Sequence, residues 1–159
     1  MIIDLPPGTG DAPLTIAQTI PITGIVIVTT PQDVAMNVAV KAIGMFNKLN
    51  VPIVGVVENM SYLQCPHCNE QVYLFGRGGG KKISEDFGIP FIGEIPLHPG
   101  IREGSDTGKP TVVSEPESVQ AHAFIKAAKL IAGRVSILAA EIQAQEHTET
   151  QTSEQTKEE

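Results

Sequence analysis

Short apolar segments alternate with segments of helical periodicity along this chain, and this alternation constrains its fold more than any other feature. Gly24–Thr29 is β-branched and apolar on both faces, which is typical of a central parallel strand covered by helices on both sides. Val51–Val57 is a second buried strand, and Phe91–Ile95 is a further one. Since strand, helix and strand follow each other at βαβ spacing, we predict an α/β fold with a parallel sheet and right-handed crossovers.

Helical segments and turns fill the intervals between these strands. Thr30-Pro31-Gln32-Asp33 has the pattern of a helix start, and the following helix is predicted to run to about Leu49. Its apolar stripe is predicted to contain Val34, Val38, Ala42, Met45 and Leu49. The remaining predictions are helices over Ala12–Thr19 and Lys81–Phe87, a small strand over Val72–Phe75, a polar loop from Pro96 to Pro110, and a long final helix from the capping box Ser114–Glu117 to about Gln143.

The first residues combine a strand pattern, an acid and a glycine turn. Apolar residues run directly into Asp4, so we predict a short buried strand that places this carboxylate at the sheet edge where α/β proteins bind ligands. Two prolines follow, and then Gly8 and Gly10 permit positive φ and close approach of the backbone to an anion. An acid in this position suits a hydrated Mg²⁺ ion. An ordinary loop with a helix-capping aspartate is the alternative.

The two cysteines of the chain stand in a single Cys65-Pro66-His67-Cys68 motif. Two thiolates are too few for a zinc or [4Fe–4S] site, which ordinarily has four protein ligands, so a second pair would come from another chain by two-fold symmetry. His67 is a candidate third ligand, although its position between the cysteines is awkward. A thiol–disulfide role is the competing chemistry, but the residues after Cys68 have the pattern of a turn and a strand rather than of a helix.

Composition limits the possible classes of function. The length of 159 residues and the hydrophobic content of 42% suit one domain, which we place at residues 1–143 with an insertion at about 60–80, followed by a disordered acidic tail at 144–159. The tail from Glu141 onward holds six Glu and one Lys, so it carries −5 of the net charge of −7. The body therefore offers no basic face for nucleic acid. Because no apolar run reaches membrane-spanning length and no signal peptide opens the chain, we expect a cytoplasmic protein without membrane contact.

Five stretches together resemble the Mrp/ApbC-type iron–sulfur cluster carriers, which are deviant P-loop ATPases related to MinD and ParA. The stretches are Asp4–Asp11 (DLPPGTGD), Thr30–Ala35 (TPQDVA), Gly55–Ser61 (GVVENMS), Cys65–Cys68 (CPHC) and Gly93–Leu97 (GEIPL). The resemblance implies a three-layer αβα P-loop fold and a [4Fe–4S] cluster that two subunits of a homodimer bind through the paired cysteines and deliver to apo iron–sulfur proteins. On residue types alone, a zinc knuckle fits Cys65 and Cys68 nearly as well.

The same resemblance assigns roles toward ATP and Mg²⁺ to residues of the first turn. Asp4 corresponds to the acid that contacts the magnesium shell through water, and Gly8 and Gly10 correspond to the switch II glycines that sense the γ-phosphate. Asp11 either orders the attacking water or caps the next helix, and we favour the cap.

Two further residues correspond to positions near the base. Asn59 matches the residue that hydrogen-bonds the adenine edge, and an amide presents both the donor and the acceptor that adenine requires. A turn former at the end of a strand is the alternative for Asn59. Pro96 corresponds to a residue that borders the base.

The P-loop signature itself is absent from the 159 residues. Of the Gly-Lys pairs, neither Gly80-Lys81 nor Gly108-Lys109 continues to Ser or Thr, and Gly76–Gly80 fits a flexible helix entry better than a phosphate loop. We therefore expect the carboxyl-terminal part of a longer protein, with an exposed strand edge, a tendency to aggregate and no ATP hydrolysis when alone. A zinc- or cluster-binding dimerisation module without catalysis is the alternative function, and a ParA-like partitioning ATPase is a third.

Overall fold

A computed structural model describes the backbone of residues 1–155 and the side chains of residues 1–144. The strands are β1 (Ile25–Thr29), β2 (Ile53–Glu58), β3 (Leu63–Gln64), β4 (Gln71–Val72) and β5 (Phe91–Glu94). The helices are α1 (Asp11–Thr19), α2 (Asp33–Lys48), α3 (Gly79–Phe87), α4 (Pro99–Asp106), α5 (Thr111–Ser114) and α6 (Val119–Gln155). No helix among the described residues is both long and apolar enough to cross a membrane.

The main sheet has the order β1-β2-β5, and both strand pairs are parallel. This confirms the predicted α/β fold with a parallel sheet. The strand β1 was expected to be central, but within the described sheet it lies at an edge, and the Val28 side chain is 60% exposed. One long side of β1 is therefore open.

Helices cover both faces of the sheet, which gives three layers. Helices α2 and α3 pack on one face around Ile27, Ile43, Val56 and Ile83, and α6 packs on the other face around Val57, Ile92 and Ala127. The predicted stripe of α2 was wrong, since Val34 is 78% exposed and Val38 is 40% exposed. The adjacent stripe faces the core instead, and the buried residues of α2 are Ala39, Ile43 and Phe46.

The predicted strand at the start of the chain does not form. Met1–Pro6 has no regular structure, and Met1 and Ile2 are fully exposed at 103% and 99%. A short apolar segment is stable as a strand only when a neighbour satisfies its backbone groups. No strand among the described residues pairs with this segment, so its strand-like sequence has no ladder to join.

The segment between β5 and α6 also differs from the prediction. The expected loop contains α4, whose N-cap His98 accepts a hydrogen bond at Nδ1 from the Gly100 amide at 3.1 Å.

The final helix is capped by Ser118, whose hydroxyl accepts from the Ala121 amide, and not by the predicted box at Ser114. The backbone of α6 continues to Gln155 through much of the predicted disordered tail, since Glu, Gln and Ala favour helix. Residues 156–159 lie outside the described part.

Candidate functional site

The carboxyl ends of the three parallel strands form a connected edge. The Asn59 amide donates to the Thr29 carbonyl at 2.7 Å and thereby joins the ends of β2 and β1. The Ile95 amide donates to the Glu58 carbonyl at 2.8 Å, and the Ser61 amide donates to the Ile95 carbonyl at 3.0 Å. This edge is where parallel α/β sheets bind their ligands.

Two predicted site residues, Asn59 and Pro96, lie on this edge. The Asn59 side chain is half-buried, and its Oδ1 atom accepts a hydrogen bond from the Met60 amide at 3.0 Å. An amide oxygen has a second lone pair, and the nitrogen keeps its two donors, so Asn59 can still offer both a donor and an acceptor. Pro96 is buried where the chain leaves β5. Asn59 directly follows the end of β2, as the sequence predicted.

The predicted phosphate-facing residues lie in an open loop before α1. Gly8 has φ +92, and Gly10 is the N-cap of α1. Asp11 occupies the first turn of this helix, where a carboxylate is favoured by the helix dipole, although it is not the capping residue. Asp4 is exposed, and the structure records no hydrogen bond or ion pair between its side chain and the described residues. No recorded hydrogen bond joins this loop to Asn59.

The two cysteines lie on the turn of a small β-hairpin. Strands β3 and β4 pair antiparallel, and the Cys65 amide donates to the Glu70 carbonyl at 2.9 Å. The Asn69 amide returns a hydrogen bond to the Cys65 carbonyl at 2.9 Å, and Asn69 has φ +59. The predicted small strand at Val72–Phe75 is displaced toward the cysteines. The motif is therefore presented on a tight turn at the protein surface.

The geometry of the turn affects the ionisation of Cys65. Hydrogen bonds from the backbone amides of Cys68 and His67, with a smaller contribution from the Cys68 thiol, lower the pKa of the Cys65 thiol. Hydrogen bonds to the charged form favour it, so the turn favours the thiolate of Cys65, which is the form that binds metals. Cys68 is exposed, and its Sγ atom lies 3.8 Å from Oε2 of Glu70. Both cysteines are free thiols, and His67 is also exposed.

The hairpin offers two metal ligands and not a complete set. No group of three or more His, Cys, Asp or Glu side chains in the described part of the chain could hold a metal ion. Cys65 and Cys68 can therefore supply two ligands to a metal or cluster, and the described residues supply no third one beside them.

The base of the hairpin is joined to the strand edge. The Leu97 amide, one residue after Pro96, donates to the Tyr62 carbonyl at 2.7 Å, and Leu63 forms a parallel bridge with Leu97. The Tyr62 and Tyr73 rings lie 6.4 Å apart, and the Arg77 guanidinium lies 4.7 Å from the centre of the Tyr73 ring. The cysteine hairpin and the strand edge that carries Asn59 and Pro96 thus belong to one connected region.

A cleft of about 290 Å³ lies beside this region, between β5, the hairpin and α6. It is lined in part by Tyr62, Glu94, His122 and Lys126. Burial raises the pKa of the Tyr62 hydroxyl, and the nearby Glu94 and Tyr73 raise it further. Tyr62 therefore stays a neutral hydrogen-bond donor.

The sequence interpretation assigned no role to one buried carboxylate of this region. The Glu58 side chain is 0% exposed. Its Oε1 atom accepts from the Ser61 hydroxyl at 2.5 Å, and its Oε2 atom accepts from the Gly80 amide at 2.6 Å. The sequence signal that could have identified Glu58 is a charged residue at the end of an apolar strand. Such a residue is rarely buried unless it has partners. Gly79 and Gly80 are buried, and Gly80 lies against this carboxylate, so the end of Gly76–Gly80 that enters α3 is packed, whereas Gly76 is exposed.

Comparison with known proteins decides the family. The model of a family described as ParA, NUBPL iron-transfer P-loop NTPase, matches residues 1–132. The chain belongs to this family. It is similar to the iron-sulfur cluster transfer protein NUBPL of Dictyostelium discoideum, with 51% identity over 87% of this chain and 43% of the relative. It is also similar to the iron-sulfur cluster carrier protein of Deinococcus radiodurans, with 50% identity over 86% of this chain and 39% of the relative.

Solved structures agree with this assignment and with the resemblance identified from the sequence. A nucleotide-binding protein from Archaeoglobus fulgidus, solved in complex with ADP, has a TM-score of 0.61 and 45% identity, over 72% of this chain and 46% of that chain. The cell division ATPase MinD from Pyrococcus furiosus has a TM-score of 0.53 and 27% identity, over 70% of this chain and 43% of that chain. This member of the NUBPL family therefore has the α/β fold of MinD-like P-loop NTPases, and it spans less than half the length of the relatives it matches.

Proposed function

We propose that this chain binds an iron–sulfur cluster through Cys65 and Cys68 and delivers it to apo-proteins, as a carrier of the family to which it belongs. The observation that carries the proposal is the hairpin turn, which presents two exposed or partly exposed free thiols and lowers the pKa of Cys65. A surface turn is accessible to a recipient protein, which a transferable cluster requires. A buried site would retain its metal instead.

The cluster is cargo in this proposal, and two copies of the chain hold it. Two thiolates from each copy supply the four ligands that a [4Fe–4S] cluster takes, and a two-fold axis through the cluster places equivalent hairpins on opposite sides. Only two thiols per copy bind the cluster, so it can be released by exchange with the thiols of a recipient. A zinc ion bound by the same four thiolates is the competing occupant, since the turn amides would stabilise its thiolate ligands equally well.

Nucleotide binding is the second part of the proposal. Asn59 would hydrogen-bond the adenine edge and Pro96 would border the base, because both lie at the connected ends of β2 and β5. The exposed Asp4 would contact the water shell of Mg²⁺, which supplies charge neutralisation at the phosphates when bound. The amides of Gly8 and Gly10 would face the γ-phosphate, and the first-turn carboxylate of Asp11 would order water or stabilise α1. Because the P-loop signature is absent, we expect no ATP hydrolysis by this chain alone.

Anaerobic reconstitution with iron and sulfide tests the cluster assignment. We expect a brown protein with broad absorbance in the visible range and about two copies of the chain per cluster. Both the absorbance and the association of two copies should be lost in Cys65→Ser and in Cys68→Ser. His67→Ala, in the same turn, should keep both signals; their loss would show that His67 is a ligand as well. Metal analysis of protein purified without oxygen distinguishes iron from zinc. A monomer that takes up no iron and forms a Cys65–Cys68 disulfide would contradict the carrier function.

A separate assay tests the nucleotide assignment. The purified chain should release no phosphate from ATP above the background of an Asp4→Ala variant. Turnover that is present in the chain and disappears in Asp4→Ala would show that the P-loop is not needed and that our reasoning is wrong.

A further inference from the structure

We infer that Glu58 is a positioning residue that holds the cysteine hairpin in place against the base-facing strand edge. Its carboxylate binds the hairpin connection through Ser61 and the first turn of α3 through Gly80. By holding the hairpin, Glu58 would fix the geometry of the proposed cluster site, and to that extent the inference rests on the proposed function. The position of the hairpin can nevertheless be measured without a cluster.

The first step of the argument is the cost of burying this group. A fully buried carboxylate is retained only when hydrogen bonds compensate for the lost water, and here each oxygen has one short hydrogen bond within the protein. Oε2 occupies the position at the start of α3 where a helix N-terminus favours an anion. The Glu58 carboxylate thus lies at the N-terminus of a helix, the position at which a phosphate loop binds phosphate.

The second step concerns the space around the carboxylate. A Cβ atom added at Gly80 would lie 3.0 Å from Cβ of Glu58 and 3.3 Å from its Oε2 atom. A glycine at this position therefore allows the close approach of helix and carboxylate. This contact explains the glycine at position 80, in the first turn of α3, to which the nucleotide and cluster assignments give no role.

The third step connects Glu58 to the cysteines. Glu58 directly precedes Asn59, and its own carbonyl accepts the Ile95 amide at 2.8 Å. Ser61, which is also 0% exposed, immediately precedes Tyr62, whose carbonyl binds the Leu97 amide at the base of the hairpin. The Glu58–Ser61 hydrogen bond therefore fixes the chain at the point where it leaves the strand edge and enters the hairpin.

Two single substitutions separate this role from simple support of α3. Ser61→Ala removes the hydrogen bond on the hairpin side, whereas Gly80→Ala forces the carboxylate away from the helix side. Hydrogen exchange of the reduced, metal-free chain, resolved by residue, is the measurement. Ser61→Ala should accelerate exchange of the Leu97 amide by roughly tenfold, which is the size expected for one hydrogen bond to a charged group. Gly80→Ala should accelerate exchange in the first turn of α3 and leave Leu97 unchanged.

Controls exclude a general loss of stability. Ser136→Ala removes an exposed hydroxyl that donates to the Ala132 carbonyl at 3.0 Å, and it should change neither region. Glu58→Gln should keep near-normal exchange at Leu97, because a carboxamide can accept from Gly80 and donate to Ser61. If Ser61→Ala does not fold, Ser61→Cys provides a weaker donor of similar shape, and its smaller acceleration at Leu97 is the expected result. Unchanged exchange at Leu97, or equal acceleration throughout the chain, overturns the inference.

Cluster release gives a second measurement. In the reconstituted protein, an iron chelator should remove the cluster several-fold faster from Ser61→Ala than from Ser136→Ala. If the unmodified chain binds no cluster, the proposed function fails, but the hydrogen-exchange result still decides the role of Glu58. If the cluster binds and its release is equal in the two variants, the inference fails and the proposed function stands.

Discussion

Arg134 forms a hydrogen bond between the last helix and the main sheet, and its removal should lower the stability of the fold. Its Nε atom, on α6, donates to the carbonyl of Val54 in β2 at 2.8 Å. Val54 is 0% exposed and lies at an irregularity of the sheet, where Ile25 pairs with Ile53 and the next residue, Val26, pairs with Gly55. Val54 therefore has no directly paired residue in β1, as occurs at a bulge. The arginine satisfies a carbonyl at this irregularity and joins the last helix to the central strand.

Arg134→Met removes the donor but keeps an unbranched side chain against the sheet. A hydrogen bond from a charged group contributes about 1.5 to 3 kcal/mol, and leaving a buried carbonyl without a partner costs a similar amount. Arg134 is only partly buried, so we expect a loss around the lower end of this range, about 1 to 2 kcal/mol less stability. For a chain of this length that loss lowers the melting temperature by roughly 2 to 8 °C.

Urea and thermal unfolding followed by far-ultraviolet circular dichroism measure this loss. Lys129→Met is the matched control, since Lys129 is exposed on the same helix and the change again replaces a cation with methionine. We expect the control to stay within about 0.5 kcal/mol of the unmodified chain. Arg134→Met with the stability of the control would show that the hydrogen bond to Val54 contributes nothing, and that packing alone holds α6 on the sheet.

Further predictions follow from the core, the sheet edge and the cysteine turn. Ile43→Ala, at a fully buried position, should cost about 2 to 5 kcal/mol in unfolding experiments, whereas Val34→Ala on the exposed face of the same helix should cost about 0.5 kcal/mol or less. Val28→Lys places a charge on the open edge of β1 and should reduce aggregation measured by light scattering; an unchanged rate would show that another surface drives association. In Cys68→Ala, alkylation of Cys65 should reach half its maximal rate at a lower pH in the folded chain than in urea, because the turn amides that lower its pKa are lost on unfolding. The same pH in both states would refute the role of these amides.

The sequence was sufficient for those parts of the fold that depend on local pattern. The strands β1, β2 and β5 and the helices α1, α2 and α3 lie where apolar periodicity placed them, with boundaries that differ by one to a few residues. The family resemblance was also correct, because it depended on motifs in a fixed order. Periodicity could not decide which face of a helix is buried where two faces had the same apolar spacing. Along α2, the stripes that begin at Val34 and at Ala39 both fit a helix, and only the sheet determines which stripe is buried.

The site shows a different limit, because its parts depend on contacts between distant residues. The cysteine motif and Asn59 could be found as sequence patterns, whereas the hydrogen bond between Glu58 and Gly80 joins residues 22 positions apart and has no local signature. The segment before Asp4 has a clear local signature but no partner. It has the sequence pattern of a strand, yet no strand among the described residues pairs with it, and it stays exposed. Backbone hydrogen bonding requires that partner, so strand propensity alone could not bury this segment.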